Sequence, residues 1–322
     1  MIRRKDTIKL LIGLILIVLI IFFLYKRKYF TVIEKVSVLD FTILTSLTLL
    51  SYFAAGFQIY YLVKKQNNIS ISFADTLFLP ISMSLFSYVI PTNGGLFYSV
   101  FFLKKKYDID TTKSFSIGIF SVYISFIITG IFGIASCIYL GNHNFWILSI
   151  SFLLIFLSLI INVLNRFFQK FCFEKTSVIG RIILYLNRIV IHSNNLIMNK
   201  VNFMVNIIIN VIYLVLSLIS YQLLNVVLEI NLPLTSIFVI ILITRVSSLI
   251  RLLPGNLGLD ELYTGGIFKI IGKDPGVGVV FSLIIRFTTL VVFIPLGILH
   301  TFFNFRFLKL SDLISLRKRA AQ

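Results

Sequence analysis

Runs of about 20 apolar residues recur along the whole chain, and they restrict its fold more than any other feature. A helix of about 20 apolar residues spans a bilayer core about 30 Å thick. Lipid offers no hydrogen-bond partners, so the backbone that crosses it must be regular. The alternating segments of a membrane β-barrel are absent. Because 58% of the 322 residues are hydrophobic and 13% are charged, the sequence predicts an all-α polytopic integral membrane protein.

Eight apolar segments can be separated by length. Six have the length of one span and are predicted to cross the membrane fully: 8–25, 39–63, 113–140, 145–165, 203–228 and 278–303. No small-residue cleavage site follows 8–25, so we expect a retained first span and not a signal peptide. The other two segments, 73–103 and 235–268, are too long for one simple span and short for two.

Each long segment is interrupted by the same pattern, Pro-x-Asn-x-Gly-Leu, at 91–96 and at 254–259. Proline removes a backbone donor, glycine permits tight turns, and asparagine can bond the freed backbone groups. Irregular backbone at membrane depth is tolerated only inside protein or along a wet cavity. We therefore predict two re-entrant hairpins whose tips face a central cavity; two proline-kinked ordinary helices are the alternative. The predicted break residues are Pro91, Asn93, Gly94, Gly95, Pro254, Gly255, Asn256 and Gly258.

The basic residues favour the same topology, because cytoplasmic loops of membrane proteins are rich in Lys and Arg. With re-entrant hairpins, 21 of the 30 basic residues lie inside, six lie outside and three lie within apolar segments. Full crossing of both long segments would largely remove this bias. The net charge of +18 therefore indicates cytoplasmic loops and no nucleic-acid partner. We predict a multi-pass protein of the plasma (cell) membrane with cytoplasmic N- and C-termini.

The two hexamers are 163 residues apart, and the same offset relates the segments around them. It carries 39–63 onto 202–226, and 113–140 onto 276–303. Asp110 and Asp274 each precede the helix that follows a hairpin, as N-caps do. We expect a single membrane domain, 1–322, with a first repeat at 39–140 and a second at 203–303. The predicted fold is about six full spans plus two re-entrant broken-helix hairpins in an inverted repeat, as in secondary transporters.

Charged residues within apolar segments are costly and usually functional. Five of them lie on the second hairpin or in the span after it: Arg245, Arg251, Asp260, Glu261 and Arg286. One hypothesis is a closed structural ion-pair network. The other is a lipid-binding or gating site, in which an arginine holds a phosphate and a carboxylate meets a cationic head group or couples to protons. If Asp260 and Glu261 each neutralise one arginine, one arginine remains for a phosphate.

The segment between the two repeats, 166–200, is predicted to be an amphipathic connector on the cytoplasmic leaflet. Its basic residues would attract anionic lipid; a plain connector lying on the membrane is the alternative. One helical face carries its apolar residues: Ile182, Ile183, Leu186, Ile189 and Val190.

Two strings resemble a known family. LLPGNLGLDELYTGGIFKIIG at 252–272, followed by IIRF and PLGIL, is similar to the lysylphosphatidylglycerol synthase transmembrane-region family, as is IPTNGGLFYSVFFLKKKYDI at 90–109. The resemblance covers about 8–305 and implies a flippase-like domain that moves aminoacylated or other anionic lipids. By motif match, the resemblance implies that six residues of this chain correspond to functional or break positions of the family: Pro91, Gly95, Pro254, Gly258, Glu261 and Arg286. Where family members often have charged pairs, this chain reads LFYSVFF and FSVYISF.

Residues and resemblance together predict a lipid flippase or transporter that moves an anionic or aminoacylated phospholipid between leaflets. The alternative is an intramembrane transferase, or a non-transporting accessory subunit of a glycolipid or cell-envelope synthesis system. Membrane lipids are the expected partners, with a separate synthase or glycosyltransferase as a further candidate. We expect no enzyme activity, because no soluble aminoacyl-transferase domain and no catalytic constellation is visible. The three histidines are scattered and the two cysteines fit no motif, so neither a metal nor a cofactor is predicted.

Overall fold

The computed structural model describes residues 29–90, 94–139, 151–156, 178–247 and 253–304, and isolated positions at 18, 22, 25, 26, 148 and 149. Among these residues all regular structure is helical and no strand occurs, which confirms the predicted all-α class. Nine helices of more than ten residues are described: α1 (Val38–Asn67), α2 (Phe73–Val89), α3 (Gly94–Tyr107), α4 (Thr111–Tyr139), α5 (Val178–Met198), α6 (Lys200–Val227), α7 (Leu234–Ser247), α8 (Leu259–Ile270) and α9 (Pro275–Phe303).

Four helices in the described part of the chain are long and apolar enough to cross a membrane. They are α1, α4 over Thr111–Ala135, α6 and α9, and each corresponds to a predicted span. Their outer surfaces carry large exposed apolar side chains such as Leu50, Phe57 and Ile208, as expected of helices that face hydrocarbon. The predicted span 8–25 and most of the predicted span 145–165 lie outside the described residues.

The helix starts follow from capping residues. Asp274 caps α9, accepting a hydrogen bond from the Gly276 amide at 2.7 Å. Asp110 accepts hydrogen bonds from the Thr112 amide and hydroxyl, at 3.2 and 2.9 Å, so both predicted N-caps are confirmed. Burial alone would raise the pKa of the Asp110 carboxyl, but these hydrogen bonds, with a third from Thr111, lower it below its usual value.

Helices α2 and α3 form the first hairpin. The end of α3 returns to the start of α2, where the Tyr107 hydroxyl accepts a hydrogen bond from the Ser72 amide at 2.9 Å. Near the tip the helices approach closely, because a Cβ on Gly95 would lie 2.2 Å from the Met83 carbonyl oxygen. Gly95 lies in the first turn of α3. The predicted break residues Pro91 and Asn93 lie outside the described residues.

Helices α7 and α8 form the second hairpin, whose outer ends meet where the Lys273 ammonium donates to the Ile230 carbonyl at 2.9 Å. Its tip is the predicted break. Pro254–Asn256 form a 3-10 turn, and Gly255, Asn256 and Gly258 have φ of 55°, 50° and 83°. The side-chain amide of Asn256 donates to the Ser247 carbonyl at 3.0 Å, so it bonds a freed backbone group as predicted.

The two hairpins open at opposite ends of α9. The base of the first lies beside the end of α9, where Asp75 contacts His300 at 3.1 Å and Lys106 contacts Asn304 at 2.7 Å. The base of the second lies beside the start of α9, directly before Asp274. Their tips meet in between, because the Tyr88 ring at the end of α2 packs against Gly255.

Helix α1 crosses α6 through a polar contact and packs on α2 through a small residue. Gln58 donates to Asn206 at 3.0 Å, and Tyr61 donates to Asn202 at 3.2 Å. A Cβ on Gly56 would lie 1.9 Å from the Thr76 carbonyl oxygen, so only glycine permits this distance between α1 and α2. Helix α1 is thereby joined to both the first hairpin and α6.

Helix α5 occupies the predicted connector and contacts the first turns of α4. The Tyr185 ring lies 6.5 Å from the Phe115 ring. His192, two turns later, is also close to Lys113, and burial followed by the Lys113 charge lowers the pKa of its imidazole. The buried face includes Ile189 and Leu196, and Arg188 is exposed. Leu186, predicted to share the apolar face, is 42% exposed; Ile182 and Ile183 have side chains outside the described part.

Candidate functional site

Arg286 lies near the middle of α9 at the centre of a buried charged network. Its Nε donates to Glu261 Oε1, and its Nη2 lies 3.2 Å from Glu261 Oε2 and 3.2 Å from Asp260 Oδ2. Glu261 is 0% exposed and Arg286 is 7% exposed. The bidentate pairing of one guanidinium with a carboxylate is strong and geometrically specific. The structure therefore brings three of the five predicted charged residues together.

The remaining donors of Arg286 reach the tips of both hairpins. Its Nη1 lies 2.8 Å from the Gly255 carbonyl oxygen and 3.2 Å from the Tyr88 hydroxyl. Its Nη2 also lies 3.2 Å from the Asn256 carbonyl oxygen. A guanidinium has five N–H donors, and these contacts engage all of them. Arg286 thus ties both tips to α9 and keeps no donor for a phosphate.

The backbone of the second break positions the two carboxylates. Gly258, in the left-handed region, precedes α8, so Asp260 and Glu261 fall in its first turn, where the helix dipole favours negative charge. Asp260 also accepts hydrogen bonds from the Ser247 hydroxyl at 3.1 Å and from the Asn256 amide at 3.4 Å. These contacts hold the end of α7, the break and α8 in one arrangement.

Arg245 lies on α7 and contacts α6. Its guanidinium carbon lies 4.3 Å from the centroid of the Tyr213 ring on α6, within the range of a cation–π contact. It lines a cavity of about 520 Å³, and none of Asp260, Glu261 and Arg286 does. The fifth predicted charged residue, Arg251, lies outside the described residues.

The cavity lies between the first hairpin and helices α1, α4, α6 and α7. Among the described residues that line it, Arg245 is the only charged one. The others are apolar or carry neutral polar groups, and the polar members are Tyr52, Gln58, Ser84, Ser87, Ser99, Ser114, Ser121, Ser125, Asn210 and Tyr213. A guanidinium among neutral polar groups suits an anionic group, and the apolar remainder suits hydrocarbon.

The model of the family described as lysylphosphatidylglycerol synthase TM region matches residues 8–297, most of the chain. The chain belongs to this family. No curated protein and no solved structure matches it significantly. Membership of the lysylphosphatidylglycerol synthase TM region family makes the chain a membrane protein connected with lipid handling.

A second buried polar cluster in this lysylphosphatidylglycerol synthase TM region protein joins the base of the first hairpin to the end of α9. Asp75 lies 2.6 Å from the Lys106 ammonium and 3.1 Å from His300 Nε2, and it accepts a hydrogen bond from Tyr107. Ser82 lies 2.8 Å from His300 Nδ1. We call these five residues the hairpin-base cluster.

The sequence analysis did not select the hairpin-base cluster, because His300 stood alone among scattered histidines. One signal was available: Asp75 is an acidic residue inside an apolar segment, and such residues are rarely without a partner. Its partner could not be found from spacing, since 225 residues separate Asp75 from His300. No group of three or more His, Cys, Asp or Glu residues able to hold a metal ion occurs in the described ranges.

Proposed function

We propose that the protein moves an anionic or aminoacylated phospholipid between the leaflets of the plasma membrane, with the cavity as its head-group site. The observation that carries this proposal is the cavity of about 520 Å³ with Arg245 as its one charged lining residue in the described chain. Family membership, which connects the chain with lipid handling, supports the same conclusion.

Arg245 is the proposed phosphate-binding residue. Its guanidinium brings a positive charge to the cavity wall, so an anionic head group would be electrically complementary there. The Tyr213 ring holds the guanidinium from one side. Serine hydroxyls from the first hairpin and α4, such as those of Ser84 and Ser125, add polar groups for phosphate or glycerol oxygens.

The acyl chains would remain in hydrocarbon along an apolar groove between α1 and α6. The groove has a volume of about 400 Å³ and is lined by apolar side chains such as Phe53, Phe57 and Ile212. Ile209 lines both the groove and the cavity. A lipid with its head group at Arg245 and one chain in the groove would therefore contact the protein continuously.

An inverted repeat with two re-entrant hairpins is the architecture that we propose. The order of long, short, short and long helices occurs twice, and the hairpins open at opposite ends of α9. Helices α2 and α7 have 17 and 14 residues, which correspond to about 26 and 21 Å at 1.5 Å per residue. Both are shorter than a hydrocarbon core of about 30 Å. Discontinuous helices that meet near the midplane are typical of secondary transporters.

The end at which the first hairpin opens is the proposed cytoplasmic end, because basic residues dominate it in the described chain. Lys64, Lys65, Lys104, Lys105 and Lys113 surround it. At the opposite end basic and acidic side chains are mixed; they include Lys35, Lys273, Glu229 and Asp274. The positive-inside rule then places the first hairpin's base in the cytoplasm.

The proposed test is lipid movement in proteoliposomes that contain the purified protein, with lysyl-phosphatidylglycerol and plain phosphatidylglycerol as substrates. Hydrogen bonds to charged groups contribute about 1.5–3 kcal/mol, so Arg245→Ala should slow transport about 10- to 100-fold. The transport rate of Arg245→Lys should lie between those of the wild type and Arg245→Ala, since lysine keeps the charge but loses the planar fork. Arg188→Ala, at an exposed arginine on α5, is the matched control and should behave as the wild type.

If Arg245→Ala moves lipid at the wild-type rate, Arg245 does not bind the head group. Failure of the folded wild-type protein to move any anionic lipid would contradict transport itself. That result would favour the alternative, an intramembrane transferase or an accessory subunit that acts beside a separate synthase or glycosyltransferase.

A further inference from the structure

His300 is held on both ring nitrogens inside the hairpin-base cluster. Its side chain is 4% exposed and that of Asp75 is 2% exposed. Since an ionised carboxylate only accepts hydrogen bonds, Nε2 of His300 carries a proton and donates to Asp75. In the neutral ring Nδ1 is then an acceptor, and the Ser82 hydroxyl at 2.8 Å donates to it. Nδ1 is therefore the atom at which a further proton can bind.

The charges in the cluster balance only while His300 is neutral. Lys106 and Asp75, 2.6 Å apart, give one positive and one negative charge. Charged and titratable groups face His300 from two helices: Asp75 on α2, and Tyr98, Lys106 and Tyr107 on α3. A protonated His300 would compete with Lys106 for one carboxylate, and a buried unpaired charge is costly.

The other helices packed against α9 add no charge to this end within the described chain. On α8, Asp260 and Glu261 bind Arg286, which lies 14 residues before His300. The basic side chains at the end of α1, Lys64 and Lys65, are exposed. The protonation state of His300 therefore depends mainly on Asp75 and Lys106.

A buried hydroxyl beside Ser82 fits the protonated state. Tyr98 is 0% exposed, and its hydroxyl has no hydrogen bond of acceptable geometry in the described structure although Ser82 and Thr301 are close. Once Nδ1 of His300 becomes a donor, the Ser82 oxygen must accept, and its own hydrogen needs a new acceptor. The Tyr98 oxygen supplies one, so the cluster satisfies its hydrogen bonds in both protonation states of His300.

Lys106 gives the cluster a route to water. Its side chain is 23% exposed, against 2% for Asp75, and it lies at the basic end of the molecule. It also contacts Asn304 at 2.7 Å, so it ties the end of α3 to the end of α9. When protonated His300 pairs with Asp75, Lys106 is the residue of the cluster that can move into solvent.

We propose that His300, held between Asp75 and Ser82, is a proton-binding site that controls how tightly the first hairpin is attached to α9. A proton from the side of Lys106 binds Nδ1, the Ser82 hydrogen turns toward Tyr98, and Lys106 leaves Asp75. The end of α3 is then released from Asp75 and Asn304, while the charged His300 keeps α2 attached to α9 through Asp75. The proton site itself is independent of the proposed transport; its effect on lipid movement rests on the proposed function.

Proton binding is tested directly by nitrogen NMR of the ring. The chain has three histidines, so His143→Gln and His192→Gln together leave His300 as the single signal. In nanodiscs between pH 4.5 and 9, we expect a change from a ring protonated only on Nε2 to a ring protonated on both nitrogens. One unchanged protonation state over the whole range would overturn the proposal and leave a structural contact.

The consequence is tested by lipid movement with a pH step of one unit across proteoliposomes. Because one proton binds from the side of Lys106, a change of one pH unit on that side should change the rate of lipid movement up to about tenfold, and His300→Gln should abolish the change. His192→Gln is the matched control and should respond as the wild type. If Arg245→Ala abolishes transport but no pH step affects the wild-type rate, the link between His300 and lipid movement is overturned. The proposed transport then remains intact. Titration of His300 without any lipid movement would overturn transport and leave the proton site intact.

Discussion

Arg286 and Arg245 are two arginines inside apolar segments, and the structure gives them opposite surroundings. Arg286 has acceptors around its whole guanidinium, whereas Arg245 lies over an aromatic ring at the wall of a cavity. The sequence indicated that one arginine would remain for a phosphate, but it did not show which one. Spacing along the chain does not determine which side of α7 or α9 faces a carboxylate, so the proposal of Arg245 as the phosphate-binding residue draws on the packing of the helices.

Glu261→Gln tests the buried network at the scale of one residue. Removal of one charge from a buried ion pair costs about 3–5 kcal/mol, so the melting temperature should fall by roughly 6–12 °C, and transport should fall with it. Glu229→Gln is the control, because Glu229 pairs with Lys35 on the surface, and its melting temperature should match the wild type. Full stability of Glu261→Gln with lost transport would show that Glu261 acts on the lipid itself.

At the scale of elements, α9 serves both hairpins with one face. Arg286 binds the tips and His300 binds the base of the first hairpin, and the 14 residues between them are about four turns and about 21 Å. The sequence predicted both hairpins because proline, asparagine and glycine occur together in apolar segments. It did not predict that one helix holds both, since the contacts of α9 join residues up to 225 positions apart.

Gly56→Ala tests the contact between α1 and α2. The new Cβ would lie 1.9 Å from the Thr76 carbonyl oxygen, which belongs to the backbone and cannot move aside. The helices must therefore separate, and overpacking of this kind typically costs about 1–3 kcal/mol, so the melting temperature should fall. Gly266→Ala on α8 meets no atom within 4 Å and should be neutral or slightly stabilising. Equal melting temperatures for the two variants would show that α1 and α2 are not held at this distance.

On the scale of the whole molecule, charge and hairpin geometry support the proposed orientation. The basic end contains the base of the first hairpin, the start of α4 and the exposed Arg188 of α5. Counting Lys and Arg residues predicted this bias without coordinates. The predicted cavity lay between the two hairpin tips, but the tips contact each other and the described cavity lies elsewhere. Its lining could not be found from the sequence, because it combines side chains from six helices far apart in the chain.

Single cysteines on either side of each hairpin test the orientation, after replacement of the two native cysteines. Lys65→Cys and Lys105→Cys flank the first hairpin, and both should react only with a reagent that reaches the cytoplasm. Pro233→Cys and Lys269→Cys flank the second hairpin, and both should react from outside. Labelling of the two members of a pair from opposite sides would show that the hairpin crosses the membrane fully.

The contact between Tyr88 and Gly255 restricts how related sequences can diverge. A Cβ on Gly255 would lie 2.4 Å from the Tyr88 ring, and the two residues come from different halves of the chain. A relative with a larger residue at position 255 should therefore carry a smaller one at position 88. The two halves, even if they arose from one duplicated ancestor, have since had to accumulate substitutions as partners and not as independent copies.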